Sequence, residues 1–149
     1  MLILGFRDTG IYKGRLVQFY KRAQILAADV WAAYGRSSGQ SHPFAFQDVH
    51  ELTMFADYRV PQILRHLGVL IYSSDLSLRV DSLEVIPFGS IEETEIRANT
   101  IVAVQMLHDT LKSDLPDLLV LHIDWLLWQW GESIKEDILP HHRTLTIYY

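Results

Sequence analysis

The sequence predicts a mostly α-helical domain, and three observations support this fold class. Apolar residues recur at helical spacing from Phe19 to Tyr34. Ser90-Ile91-Glu92-Glu93 has the composition of a capping box, which marks the start of a helix. The run Asp117–Trp130 is apolar on nearly every side, as a central buried helix is. Because 149 residues fit one domain, we expect a single helical domain over residues 1–149.

The first predicted helix covers Phe19–Tyr34, and Gly35 supplies its C-terminal stop. A short helix follows from Asp48 to Phe55, with Asp48 as its candidate N-cap. Its partner covers Pro61–Leu67, with Pro61 at the first helical position and Gly68 just past the end. Two short helices joined by a tight turn predict a helix-hairpin-helix-like element with charged residues in the turn.

The second half of the chain contains two longer predicted helices. Val69–Gly89 is expected to be extended or irregular. The helix that opens at Ser90 is predicted to bury Ile96, Ile101, Val104, Met106 or Leu107, and Leu111. The last helix covers Asp117–Trp130 and ends at Gly131, and the tail Leu145–Tyr149 is expected to be ordered.

Composition excludes several classes of function. A formal net charge of −5 argues against non-specific binding to nucleic acid backbones. The absence of cysteine removes disulfides, thiolate zinc sites and a cysteine nucleophile. His141-His142 invites a metal interpretation, but no further ligand motif accompanies it, so we expect no metal and no cofactor. The first apolar run is too short for a membrane span or a signal peptide, so a cytoplasmic protein is expected.

Three segments place charges inside apolar runs, where an ordinary core has none. They contain Lys21, Asp57 with Arg59, and Asp124. A buried charge costs several kcal/mol unless it is paired, so such positions are candidates for a polar pocket. The alternative is that these four residues pair with one another or cap helices.

Paired carboxylates such as Asp57 and Asp124 suit chemistry at a sugar carbon. One carboxylate stabilises or attacks the oxocarbenium-like centre while the other manages water or the leaving group. A carboxylate also reads the edge of a guanine-like base by accepting two parallel N–H bonds. Aromatic residues are available to sandwich such a ring, or they are plain core: Phe55, Tyr58, Trp125 and Trp128. Candidates for phosphate contacts are Tyr20, Lys21, Arg22, Arg97, His141, His142 and Arg143.

Long stretches of the chain closely resemble the queuosine salvage protein family. The resembling stretches are 19–26 with Ala28-Asp29, 52–62, Glu95-Ile96-Arg97-Ala98, 124–128, Pro140-His141-His142-Arg143-Thr144 and Ile147-Tyr148-Tyr149. The resemblance implies a queuosine 5'-phosphate N-glycosylase/hydrolase with a helix-hairpin-helix core like that of DNA glycosylases. It implies that queuosine 5'-monophosphate is the substrate and queuine the product, with neither nucleic acid nor membrane as a partner.

The resemblance also implies roles for individual residues. Asp57 is the first choice for nucleophile or oxocarbenium stabiliser, and Asp48 is a rival catalytic acid. Phe55, Asp124 and Trp125 are expected to bind the base. Gln129 stands where another acid is expected, which alters a contact to the side group of queuine, and Lys21 and Arg22 are expected at the 5'-phosphate. The remaining substrate-binding candidates are Tyr58, Arg59, His142 and Arg143.

Relatives with this pattern carry a further N-terminal half, which the resemblance implies is absent from these 149 residues. We therefore expect dimerisation through the surface that this half would cover. Two other functions stay open. One is a non-catalytic module that binds queuine or a related nucleoside. The other is a nucleic-acid-binding domain, against which the net negative charge and Asp57 in the turn both count.

Overall fold

A computed structural model describes residues 4–36 and 41–149, and within them five α-helices surround a core with one small hairpin at the side. The strands are β1 (Thr9–Tyr12) and β2 (Arg15–Gln18). The helices are α1 (Lys21–Val30), α2 (Arg59–His66), α3 (Ser74–Asp81), α4 (Ile91–Leu111) and α5 (Val120–Ser133). The predicted mostly α-helical class is confirmed.

The hairpin of β1 and β2 is a feature that the sequence did not lead us to expect. Its strands pair antiparallel, with Thr9 opposite Gln18 and Tyr12 opposite Arg15. The two connecting residues, Lys13 and Gly14, both have positive φ, which is the backbone of the two-residue hairpin turns that match strand twist.

Helix α1 confirms the centre of the predicted Phe19–Tyr34 helix. It begins at Lys21, because Tyr20 adopts a left-handed conformation with φ 47° at the N-cap. Beyond Val30 the chain continues as a π-helical turn, Trp31–Gly35. Gly35 does more than end the helix: a Cβ there would lie 1.8 Å from the carbonyl oxygen of Phe44, so only glycine permits this approach.

The predicted helix Asp48–Phe55 is wrong. Only Val49–Glu51 forms a 3₁₀ turn, and residues 52–57 have no regular secondary structure. Two backbone N–H groups of segment 52–57 donate to side chains of α1 and α5 instead of to a helical ladder. Thr53 donates to Gln24 Oε1 at 2.9 Å, and Phe55 donates to Asp124 Oδ1 at 2.9 Å. The helix-hairpin-helix core is therefore not confirmed.

Helix α2 begins two residues earlier than predicted, so Pro61 is its third residue and not its first. The position is still tolerated, since the N–H groups of the first turn have no partner within the helix. Gly68 lies just past the end with φ +72°, as expected for a C-terminal glycine.

The segment Val69–Gly89, expected to be irregular, contains helix α3. Ser73 caps this helix by accepting a hydrogen bond from Leu76 N at 3.2 Å. After it, Val85 bridges to Arg143 in parallel, and Ile86 N donates to the Arg143 carbonyl at 2.7 Å. These bonds attach the start of the C-terminal tail to the rest of the domain, in line with the prediction that the tail is ordered.

Helix α4 starts where the Ser90 motif predicts. Ser90 Oγ accepts from Glu93 N at 3.2 Å, but the Glu93 carboxylate accepts from Gly89 N at 3.1 Å, so only half of the capping box forms. Ile96 and Val104 are buried, whereas Met106 is 65% exposed and does not belong to the buried face.

Helix α5 starts later than predicted and runs through Gly131 to Ser133. A Cβ on Gly131 would lie 3.0 Å from the Arg59 side chain, so the glycine allows α2 to approach α5. The helix is not buried on all sides, since Leu126 is 66% exposed and Trp128 is 42% exposed.

The main core lies where α2 packs against α4 and α5. Its most buried members include Met54, Val60, Ile63, Leu64, Val104, Ile123 and Leu127. A smaller cluster of Ala28, Phe55 and Leu121 lies beneath α1. Within the described ranges, no helix combines the length and apolarity needed to cross a membrane.

Candidate functional site

A pocket of about 380 Å³ opens between α1, the irregular segment 52–57 and α5. Its lining combines charged and aromatic side chains: Lys21, Ile25, Asp29, Phe55, Asp57, Asp124, Trp125 and Trp128. Three segments that are far apart in sequence therefore meet here, and they are the segments whose charges interrupt apolar runs.

Asp57 lies at the base of the pocket and at the start of α2. Its Oδ1 accepts two backbone hydrogen bonds of 3.0 Å, from Arg59 N and Val60 N. The carboxylate thus caps α2, which confirms part of the capping alternative. Both bonds are to Oδ1, so Oδ2 has no hydrogen-bond donor among the described residues and is available to a ligand.

Asp124 lines the same pocket as Asp57, from the inner face of α5. It is 4% exposed, and its Oδ1 accepts from Phe55 N at 2.9 Å. Burial, with a smaller contribution from the neighbouring Asp57 carboxylate, raises the pKa of Asp124 to about 7, although the bond from Phe55 N opposes the increase. Near neutral pH this carboxyl is therefore poised between its two protonation states.

Lys21 is the cation of the pocket, at the first position of α1. Burial lowers the pKa of its ammonium, while attraction to Asp57 and Asp124 opposes that decrease. Burial likewise raises the pKa of Asp57, and the bonds from Val60 N and the charge of Lys21 oppose the increase. The three groups form one coupled cluster in a desolvated site.

Aromatic rings form the walls around this cluster. Phe55 is buried, and Trp125 and Trp128 keep part of their surface open toward the pocket. Of the four predicted rings, Tyr58 lies elsewhere: it stacks on His141 with ring centroids 4.5 Å apart. Three rings and two carboxylates are therefore available to a flat, hydrogen-bonding ligand.

A second depression of about 490 Å³ adjoins the pocket along the same face of α1. The two share Lys21, Ile25 and Asp29, and the second is also lined by Arg22, Tyr148 and Tyr149. Arg22 is exposed and donates to the Ile147 carbonyl at 3.1 Å. Lys21 thus borders both spaces, and Arg22 lines the second depression beside it.

A buried polar network supports the pocket from behind. Arg97, 1% exposed, donates to Asp8 Oδ1 at 2.9 Å and to the Ala56 carbonyl at 3.1 Å. Asp8 Oδ2 accepts from Lys21 N at 3.2 Å, so the network holds both α1 and the residue before Asp57. Arg97 was a candidate for a phosphate contact, but it is buried in this network and lines neither of the two spaces.

The same network anchors the C-terminal tail. Tyr149 donates to Glu93 Oε1 at 2.7 Å, and its ring lies over the Arg97 guanidinium at 4.9 Å. His142 contacts the Tyr149 hydroxyl at 3.3 Å, and burial lowers the pKa of His142 to about 3, so its imidazole is neutral. His142 is 1% exposed and lies outside the pocket lining.

Several other predicted residues lie apart from the pocket. Asp48 is exposed in a separate depression beside the 3₁₀ turn. Gln129 and Arg143 are exposed and do not line the pocket. Arg59 is buried, and its Nε donates to Glu132 Oε1 at 2.7 Å, which makes it a structural ion pair between α2 and α5.

The site also contains two residues that our sequence-based predictions did not include, Ile25 and Asp29. With Lys21 they recur every fourth residue, so they share one face of α1. The spacing was visible in the sequence, but nothing there showed which face meets the pocket. No three metal-ligating side chains converge anywhere in the part of the chain described.

Comparison with known proteins gives a consistent result. The family model of the queuosine salvage protein matches residues 2–149. A protein of Dictyostelium discoideum named queuosine 5'-phosphate N-glycosylase/hydrolase is 51% identical over 97% of this chain and 44% of its own length. Proteins of the same name from Sphaerobacter thermophilus and Mus musculus are 49% and 38% identical over 97% of this chain, covering 43% and 44% of their own lengths. The chain spans less than half the length of these relatives.

Proposed function

Since the chain belongs to the queuosine salvage protein family, we propose that it binds queuosine 5'-phosphate in the Asp57 pocket and hydrolyses the N-glycosidic bond to release queuine. The observation that carries this proposal is the cluster of Asp57, Asp124 and Lys21 within an aromatic pocket. Two buried carboxylates beside one ammonium match what cleavage at a sugar carbon needs.

Asp57 is the proposed nucleophile or stabiliser of the oxocarbenium-like centre. Its Oδ1 is fixed by the N–H groups of Arg59 and Val60, which orients Oδ2 without blocking it. Burial raises the pKa of Asp57, whereas the start of α2 and Lys21 oppose that increase and favour the ionised form. A carboxylate that is charged and immobile is suited to stabilise developing positive charge on the sugar.

Asp124 is proposed to form hydrogen bonds with the polar edge of the base, while Phe55, Trp125 and Trp128 pack against its ring. Queuine is a 7-deazaguanine, so the ring nitrogen whose protonation helps a purine to leave is absent. The departing base must then be stabilised by hydrogen bonding around its other polar groups. With a pKa of about 7, Asp124 can accept N–H bonds when ionised or donate a proton when neutral.

Lys21 and Arg22 are proposed to hold the 5'-phosphate at the junction of the two spaces. The Arg22 guanidinium is exposed and uses one Nη1–H on the Ile147 carbonyl, which leaves further donors for phosphate oxygens. The same arrangement would put the sugar next to Asp57, since Lys21 borders both spaces and interacts with the Asp57 carboxylate.

The test is base release from queuosine 5'-monophosphate by the purified 149-residue chain, followed by chromatography. We expect Asp57→Asn to lower kcat by about a thousandfold. Its folding should change little, because an asparagine oxygen can still accept the N–H groups of Arg59 and Val60. Asp75→Asn on α3, which removes a charge far from the pocket lining, is the matched control and should retain wild-type kcat.

The alternative outcomes identify the other candidate functions. Queuine binding without release by a folded wild-type chain would support the non-catalytic binding module. Full activity of Asp57→Asn would move the catalytic role to Asp124 or Asp48. If the chain neither binds nor releases queuine, the proposed function is wrong.

A further inference from the structure

We propose that Asp29, Trp125 and Trp128 form a subsite for an organic ammonium group at the outer end of the Asp57 pocket. This inference rests on the proposed function, because it assigns the protonated side-chain amine of queuine to that subsite. Asp29 would thereby be a specificity-determining residue, separate from the groups that cleave the bond.

The position of Asp29 provides the first argument. Lys21 and Asp29 lie on the same face of α1 and both line the pocket, two helical turns apart, which is about 12 Å at 1.5 Å per residue. Lys21 marks the end of the pocket where Asp57 and Asp124 cluster. Asp29 therefore lies two helical turns along α1 from that cluster, although it also borders the second depression, as Lys21 does.

The charge balance of the pocket provides the second argument. Three carboxylates line it, those of Asp29, Asp57 and Asp124, against the single ammonium of Lys21. Asp57 and Asp124 interact with that ammonium. The exposed Asp29 carboxylate has no cation within salt-bridge distance in residues 4–36 and 41–149, so a cationic ligand group would supply the missing partner.

The indoles provide the third argument. Trp128 is 42% exposed and Trp125 is half-buried, although both line the cavity. Indole is the aromatic group that attracts cations most strongly through its ring face. One carboxylate with two indoles is therefore a set of groups that favours ammonium over an uncharged substituent.

The ligand chemistry matches this set. Queuine carries an aminomethyl substituent on its 7-deazaguanine ring, and a secondary alkylamine is protonated at neutral pH. The sequence suggested Gln129 for the contact to this side group, but Gln129 is exposed, uncharged and outside the pocket lining. Asp29 offers the negative charge that Gln129 lacks.

The test compares two bases that differ in one charge, 7-aminomethyl-7-deazaguanine and 7-methyl-7-deazaguanine, by isothermal titration calorimetry at low salt. We expect the wild-type chain to bind the cationic base about tenfold more tightly. Asp29→Asn should weaken binding of the cationic base about fivefold and leave the methyl analogue within twofold. Asp29→Glu should retain most of the preference, and Asp75→Asn should retain all of it.

Two results would overturn the inference alone, and a third would overturn it together with the proposed function. If the wild-type chain binds both bases with equal affinity, the pocket does not recognise the charged amine, although this result leaves the proposed function unaffected. If Asp29→Asn weakens both bases alike, Asp29 acts only on the shape of the pocket. If neither base binds to the folded wild-type chain, the proposed function and the inference fail together.

Discussion

At the scale of single residues, the site depends on placing two carboxylates where water cannot fully solvate them. Asp57 and Asp124 are each 4% exposed, and burial is the main cause of the raised pKa of both. Each carboxylate nevertheless accepts at least one backbone N–H bond, which limits the cost of burial. The pair is thus costly to ionise and kept in fixed orientations.

Asp124→Asn is expected to stabilise the protein, and more so at higher pH. Between pH 3.8 and about 7 the unfolded chain releases this proton while the folded chain keeps it, so stability falls as pH rises through that window. The variant lacks this loss. Its gain in the free energy of unfolding should grow by about 2 kcal/mol from pH 5.5 to pH 8.5.

Urea unfolding at the two pH values measures this difference, with Asp75→Asn as the control for a solvated carboxylate. A gain that is equal at both pH values would show that Asp124 titrates normally in the folded protein. The same variant should weaken binding of the base, because an amide has one acceptor oxygen and cannot accept two parallel N–H bonds on two oxygens as a carboxylate does.

At the scale of elements, the Arg97 network fixes the geometry of the site. Arg97 lies in α4, yet it donates hydrogen bonds to Asp8, which precedes β1, and to the Ala56 carbonyl in segment 52–57. Asp8 in turn accepts the Lys21 N–H at the start of α1. The Arg97 guanidinium therefore holds the first residue of α1, through Asp8, and the residue that precedes Asp57.

Arg97→Met is expected to destabilise the protein by about 3–5 kcal/mol, since it leaves the buried carboxylates of Asp8 and Glu93 without their cation. Arg79→Met is the matched control. Arg79 pairs with Glu84 and Glu92 at the surface, so its loss should cost at most about 1 kcal/mol. Chemical denaturation compares the two variants, and similar losses for both would contradict the role given to the Arg97 network.

At the scale of the whole molecule, the net charge of −5 opposes binding to nucleic acid. We expect no salt-dependent binding to duplex DNA at 50 mM salt, measured by fluorescence anisotropy. Tight binding that weakens steeply with salt would revive the nucleic-acid-binding alternative.

Dimerisation also stays a prediction at this scale. The described surface exposes apolar side chains that include Ile71, Val102, Met106, Leu126 and Trp130. If copies associate through such surfaces, sedimentation velocity should give a mass that rises with protein concentration. A constant monomer mass over a hundredfold range of concentration would contradict the prediction.

The sequence by itself determined the class of fold, the family and the three segments that form the site. Helical periodicity is local, so α1, α4 and α5 were predictable to within a few residues. Lys21, Asp57 and Asp124 were recognisable because a charge within an apolar run is costly wherever the chain folds.

Only the tertiary structure decided what depends on distant partners. Segment 52–57 is not helical, and two of its N–H groups donate to Gln24 and Asp124 instead, acceptors that no local pattern reveals. Arg59 and Arg97 look alike in sequence as candidate contacts to substrate, yet Glu132, Asp8 and Glu93 make both of them structural. Asp29 joins the site for the same reason: helical spacing shows which residues share a face, whereas packing decides what that face meets.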